Sequence, residues 1–120
     1  MRGGVRMGDC IFCKIINGEI PSNKVYEDEN ILAFDDINPM APVHVIIVPK
    51  EHIATLLDLS RGTAGIVGDM YLAAVEIARI KGIDERGFRT VINCNEDGGQ
   101  VIFHLHMHLL GGQKLKDGLA

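Results

Sequence analysis

Gln100-Val101-Ile102-Phe103-His104-Leu105-His106-Met107-His108-Leu109-Leu110 is the stretch that decides how this chain is read. Three histidines alternate with apolar residues, and the pair Gly98-Gly99 comes just before the stretch. Alternation at a period of two is the pattern of a half-buried β-strand. The sequence therefore predicts a strand with Phe103, Leu105, Met107 and Leu109 on one face and His104, His106 and His108 on the other. At a rise of about 3.3 Å per residue the imidazoles would stand about 6.6 Å apart. That is too far for neighbours to hydrogen-bond directly, yet near enough for one small anion to touch two of them. A single strand histidine is usually a satisfied surface or core residue. Three in register, from only five in the chain, point to a functional site.

Outward from that stretch, 120 residues suit one domain with a real core. Hydrophobic content of 47% and 23% charged residues are ordinary for a globular protein. A formal net charge of −4 argues against a surface that coats nucleic acid. It leaves room for a small anionic ligand in a locally positive site. No apolar run approaches the ~20 residues of a membrane span, so no membrane partner is expected. Met1 to Met7 carries positive charge without an apolar segment, which gives no signal peptide. Three cysteines are too few for a disulfide scaffold, and the expected compartment is the cytoplasm. Residues 1–8 read as a flexible tail before a domain over 9–114, with 115–120 as a C-terminal tail.

Cys10-Ile11-Phe12-Cys13 is a CxxC beside an apolar stretch reaching Ile16. Alone it is ambiguous between zinc, redox chemistry and neither. Asn17 to Ser22 has turn chemistry. Lys24 to Asp28 and Asn30 to Asp36 then read as a hairpin, closed by exposed carboxylates at Asp35-Asp36 and the stop at Pro39. Val43 to Val48 has the composition of a central strand, ended by Pro49, with His44 interrupting it. Gly62 to Lys81 carries a helical stripe of Ile66, Met70, Ala73, Ile77 and Ile80, followed by Gly82 as its stop. Phe88 to Cys94 makes a further strand, and Asn95 to Gly99 a polar connection into the histidines.

Imidazole serves both as a metal ligand and as a nucleophile near neutral pH. First-row metals hold nitrogen at ~2.0–2.1 Å, a tighter cluster than alternate positions of one straight strand provide. The three histidines alone are thus a poor metal site. Beside glycine-freed backbone amides they suit a phosphate, with the central imidazole placed to attack phosphorus.

The segment His104 to Leu110 matches the pattern His-φ-His-φ-His-φ-φ, φ being apolar, and here the chain resembles the histidine triad (HIT) family. The resemblance runs from about Asp9 to Lys114. Cys10 to Ile16, Leu32 to Ile37, Pro42-Val43-His44, Val48 to Ile53 and Asp97 to Gln100 all fit its nucleotide-binding, Hint-like branch. It implies an α+β fold: a five-stranded antiparallel sheet with helices packed on one face, the sheet continuing across a homodimer. It also implies hydrolysis of purine nucleoside phosphoramidates, such as adenylylated amines of the AMP-lysine type, through a nucleotidylated histidine. By position His106 would be the nucleophile, and His108 and Asn93 would contact the phosphate. His44 and His104 would orient the nucleophile's surroundings. Asp36 would hold the ribose hydroxyls, while Ile11, Phe12, Phe34 and Ile37 pack around the base. Gln100 and Val101 fall in the substrate-binding segment.

Two positions depart from the family pattern. Val101 stands where many relatives carry Ser, and a valine has no hydrogen-bonding group for the leaving amine. The tail from Gln113 lacks the tryptophan some relatives place near the base. Some bacterial-type relatives hold a structural zinc at the positions filled here by Cys10, Cys13, His52 and His104, an ordinary closed Cys₂His₂ set. A chelated ring nitrogen of His104 would leave the other for a partner such as His44. Two other functions fit the same residues. One is hydrolysis of dinucleoside polyphosphates; the other is a nucleotide- or partner-binding module with vestigial catalysis, which Val101 favours.

Overall fold

A computed structural model describes residues 9–117 of the chain. The tail expected over 1–8, and residues 118–120 of the C-terminal tail, lie outside the described residues. In chain order the elements are helix α1 (Ile11–Ile16), strands β1 (Lys24–Glu27), β2 (Ile31–Asp35) and β3 (Val43–Pro49), a 3-10 turn (Leu56–Asp58), helix α2 (Gly65–Ile80), and strands β4 (Phe88–Val91) and β5 (Met107–Gly111). The five strands form one antiparallel sheet in the order β1-β2-β3-β5-β4. Among the described residues no helix is long and apolar enough to cross a membrane.

Both faces of the sheet are covered at its centre. Ile31, Ala33, Val45, Ile47, Met107 and Leu109 pack with Met70, Ala73, Ala74 and Ile77 of α2. Leu32, Phe34, Ile46 and Val48 point the other way, onto Phe12, Cys13 and Ile15 of α1. This two-sided burial is why Ile31 to Phe34 of β2 and Val45 to Val48 of β3 are continuous apolar runs rather than alternating ones. The expected helical layer on one face is α2; the six-residue α1 lies on the opposite face.

Helix α2 ends as its sequence suggests. Gly82 takes φ 71, its N–H bonds Arg79 O, and the Ile83 N–H reaches back to Ala78 O, the bond pair of a Schellman stop. The buried stripe differs from expectation at one end: Ile80 is 57% exposed, while Ala74 and Ala78 are buried. At 100° per residue Ile80 falls roughly a quarter-turn from the centre of the buried face.

Strand ends also move. Asp28 accepts hydrogen bonds from the N–H groups of Asn30 and Ile31, so β1 stops at Glu27 and a tight turn follows. Strand β4 ends at Val91, short of the expected Cys94. The larger correction concerns the histidines. Strand β5 begins only at Met107, so His104, Leu105 and His106 precede the ladder. There the Leu105 N–H bonds Ile53 O, and the Pro49 carbonyl is taken by the His104 ring. The extended chain keeps its alternation, with Leu105, Met107 and Leu109 in the α2-side core. Phe103 is only partly buried and stands outside that group.

Candidate active site

A pocket of about 410 Å³ opens on the α1 side of the sheet, with His106 and His108 on its wall. Its proton arrangement follows from fixed backbone groups. The Met40 N–H donates to His44 Nδ1 at 3.0 Å, so that nitrogen carries the lone pair. The proton of neutral His44 is then on Nε2, which lies 2.9 Å from His108 Nδ1. His108 Nδ1 accepts, and its own proton sits on Nε2. The chain Met40, His44, His108 thus ends in an N–H donor on the ring that faces the pocket.

His106 is wired the opposite way. Its Nδ1 lies 2.7 Å from the His104 carbonyl, an acceptor, so Nδ1 carries the proton. Nε2 is left with a lone pair. Edge to face, with ring centroids 5.0 Å apart, the two imidazoles present one bare nitrogen and one N–H donor.

The wiring requires neutral rings, and burial favours them. Burial lowers the pKa of His106, against the hydrogen bond to His104 and the charge of Asp36. It lowers His44 too, again opposed by Asp36. His108 is brought down to about 4 by burial, with His106 and His44 adding and Asp36 opposing.

Of the residues singled out in the sequence, Ile11, Phe12, Phe34, Asp36, Ile37, Asn93, Val101, His106 and His108 line this one pocket. Asp36 is not the exposed carboxylate expected. One oxygen accepts from the Asn38 N–H at 2.8 Å and the other lies 3.4 Å from His44 Nε2. Asp35 is half-buried and paired with Lys81 at 3.0 Å. His44 and His104 stand behind the wall rather than on it. Gln100 is off the wall as well: its buried carboxamide accepts from Asn95 N and donates to Ala54 O and Ile102 O. It ties the connection from β4 to the chain below, and it leaves Val101 85% exposed in the pocket.

The glycine pair also has a structural reason. A Cβ on Gly98 would sit 2.4 Å from the Cys94 carbonyl oxygen, and Gly99 adopts φ 81. The Gly99 amide is not free for an anion, since it donates to Glu96 O. Asn93 is held beside this turn by its bond to Gly98 O at 2.7 Å. Sequence reasoning missed the wall from Ile20 to Asn23 and at Ile102. Ile20 to Asn23 carried only turn signals, which say nothing about what a turn faces.

Behind the pocket, Cys10, Cys13, His52 and His104 bring their sulfur and nitrogen atoms within 4.8 Å of one another. His104 Nε2 faces the Pro49 carbonyl at 2.8 Å, so its bare Nδ1 points to Cys10 Sγ at 3.4 Å and Cys13 Sγ at 3.6 Å. His52 Nδ1 is 3.2 Å from Cys13 Sγ. The outer partner of His104 is therefore Pro49, not His44, which is committed to His108. A second-sphere carbonyl holding one ring nitrogen is the usual support for a metal-binding imidazole. Two thiols and two imidazoles, three of the four residues buried, fit a closed tetrahedral metal site. Burial and the neighbouring Cys10 push the Cys13 thiol up to about 12.

A sequence model of the HIT domain matches residues 17–115. The chain belongs to the HIT family. Among its relatives, the purine nucleoside phosphoramidase of Escherichia coli K12 is 46% identical over 112 residues, covering 93% of this chain and 94% of that protein. An uncharacterized HIT-like protein of Buchnera aphidicola is 51% identical, over 88% of this chain and 93% of its own. A solved histidine triad protein from Clostridium difficile superposes with a TM-score of 0.91 at 51% identity, covering 97% of this chain and all of that one. The five-stranded antiparallel architecture is thus the HIT fold.

Proposed function

We propose that this HIT protein is a purine nucleoside phosphoramidate hydrolase acting through a nucleotidylated His106. The observation that carries the reading is the opposed wiring of His106 and His108. The Nε2 lone pair of His106 attacks phosphorus, the P–N bond breaks, and its electrons leave with the amine, which takes up a proton from solvent that the water of the next step gives back. Water then attacks the phosphorus of the His106 adduct, releasing the nucleoside monophosphate and restoring the imidazole. The His108 Nε2–H and Asn93 offset the charge gathering on the phosphoryl oxygens. Ile11, Phe12, Phe34 and Ile37 offer an apolar slot for a purine, and Asp36 is the acceptor for ribose hydroxyls.

Cys10, Cys13, His52 and His104 would hold one zinc ion per chain, a closed site whose contribution is structural. The working unit is the domain over 9–114, paired as a homodimer in the cytoplasm. Strand β4 at the sheet's edge supports the pairing, with exposed apolar groups at Phe88, Leu72 and Tyr71, whose hydroxyl meets Thr90. Comparing kcat/KM for an AMP-amine conjugate and a dinucleoside polyphosphate tests the activity. The amidate is expected to be the better substrate. A preference for the dinucleotide would refute the reading, and nucleotide binding with neither turned over would favour a binding module, which the apolar Val101 supports.

A further inference from the structure

The Cys/His cluster and the pocket share two pieces of chain. Helix α1 carries Cys13 on one side and the wall residues Ile11, Phe12 and Ile15 on others, with Cys10 as its N-cap. His104 faces the thiols with its ring and holds the proton of His106 with its main-chain carbonyl. Phe12 lies between them, edge-on to His106 at 5.0 Å, to His104 at 6.0 Å and to Phe34 at 5.6 Å. Six residues are too few to hold a helix by themselves, so the order of α1 comes from its attachments. Its own side-chain attachment at the N-terminus is a weak thiol contact, the Cys13 N–H to Cys10 Sγ bond at 3.3 Å.

We propose that metal and nucleotide bind to this chain with positive coupling. A thiophilic divalent ion, zinc by the donor set, fixes α1 and His104 and so tightens the pocket beside them. By linkage the nucleotide must raise zinc affinity by the same factor. The inference rests on the nucleotide reading of the pocket and adds that its affinity is set by the Cys/His cluster behind it. A factor of about tenfold is expected, inside the usual span for coupled sites.

The test measures the full chain in two directions. AMP affinity is read by calorimetry on zinc-loaded and chelator-stripped protein, and zinc affinity by competition with a chromophoric chelator, with and without saturating AMP. Equal gains of about tenfold in both directions would support the coupling. Zinc affinity unchanged by AMP would overturn it, as would a failure to bind zinc at all. AMP binding to neither form would instead overturn the nucleotide reading, and the coupling with it. Circular dichroism of the stripped protein accompanies both arms, and a stripped chain that has unfolded would make the coupling a folding effect and overturn the local route through α1. Phe12→Leu keeps every ligand atom and removes the ring between the sites. Its coupling is expected to fall to about twofold or less, and coupling kept at the wild-type factor would contradict the route through α1.

Discussion

At the scale of single residues, what sets the histidines apart is which nitrogen of each carries its proton. His106 and His108 differ in neighbours, not in type: a carbonyl fixes one, and another imidazole fixes the other. Removing them should therefore have unequal effects. His106→Ala is expected to lower kcat by about four orders of magnitude or more with AMP binding retained, because the reaction path itself is gone. His108→Ala loses one electrostatic contact, and a fall of about 10²–10³-fold is expected. Single-turnover kinetics beside AMP titrations would check both; equal losses would contradict the division of roles. Acid offers a second test. In the folded chain His108, faced by His44, His106 and Asp36, stays neutral down to about pH 4, against an ordinary value of 6.5. The folded state then binds fewer protons than the unfolded one between these values. The stability His108 contributes above pH 6.5 is lost as pH falls toward 4, by an amount on the order of 2–3 kcal/mol. Urea midpoints at pH 7.5 and pH 5 should fall further for the wild type than for His108→Gln, and parallel losses would contradict this.

At the scale of elements, what could be read from the sequence was what repeats. The apolar run of β3 and the stripe and glycine stop of α2 are periodic over several residues, and both elements lie where the pattern places them. The start of β5 was not legible. His104 to His106 alternate as a strand does, but a strand also needs a partner, and Ile53 and Pro49 take those hydrogen bonds from outside the ladder. The pocket's histidines, Asn93 and aromatic wall were legible through the family motif, while Ile102 and the Ile20 to Asn23 wall were set by how turns fold back. Gln100 looked like a ligand-binding residue and is a buried tie. The turn before it is a sensitive element. Gly98→Ala would put a methyl group 2.4 Å from the Cys94 carbonyl oxygen, which is backbone. A loss of about 1–3 kcal/mol is expected, with a fall in kcat as Asn93 shifts. Gly111→Ala meets the movable Cδ1 of Ile83 at 2.7 Å and should cost less. Thermal melts of the two variants decide the order, and a milder Gly98→Ala would be evidence against a rigid turn.

At the scale of the whole molecule, the sheet joins two sites with opposite needs: an open pocket for the proposed chemistry and a closed cluster that brings Cys10, Cys13, His52 and His104 together. An ion held there would cross-link the N-terminal helix, mid-chain and the histidine segment, restricting the unfolded chain. Stripping zinc should lower Tm markedly, and restoring one equivalent should recover it. A melt unchanged by chelation would remove the metal from the account. The central claim, covalent transfer through His106, is tested most directly by rapid mixing with an AMP-amine conjugate, a quench that avoids acid, and peptide mass spectrometry. One AMP group on Nε2 of the His106 ring, forming and decaying at rates that match turnover, is the predicted result. An adduct on His104 or His108 instead, or full turnover with no adduct formed at a competent rate, would contradict it.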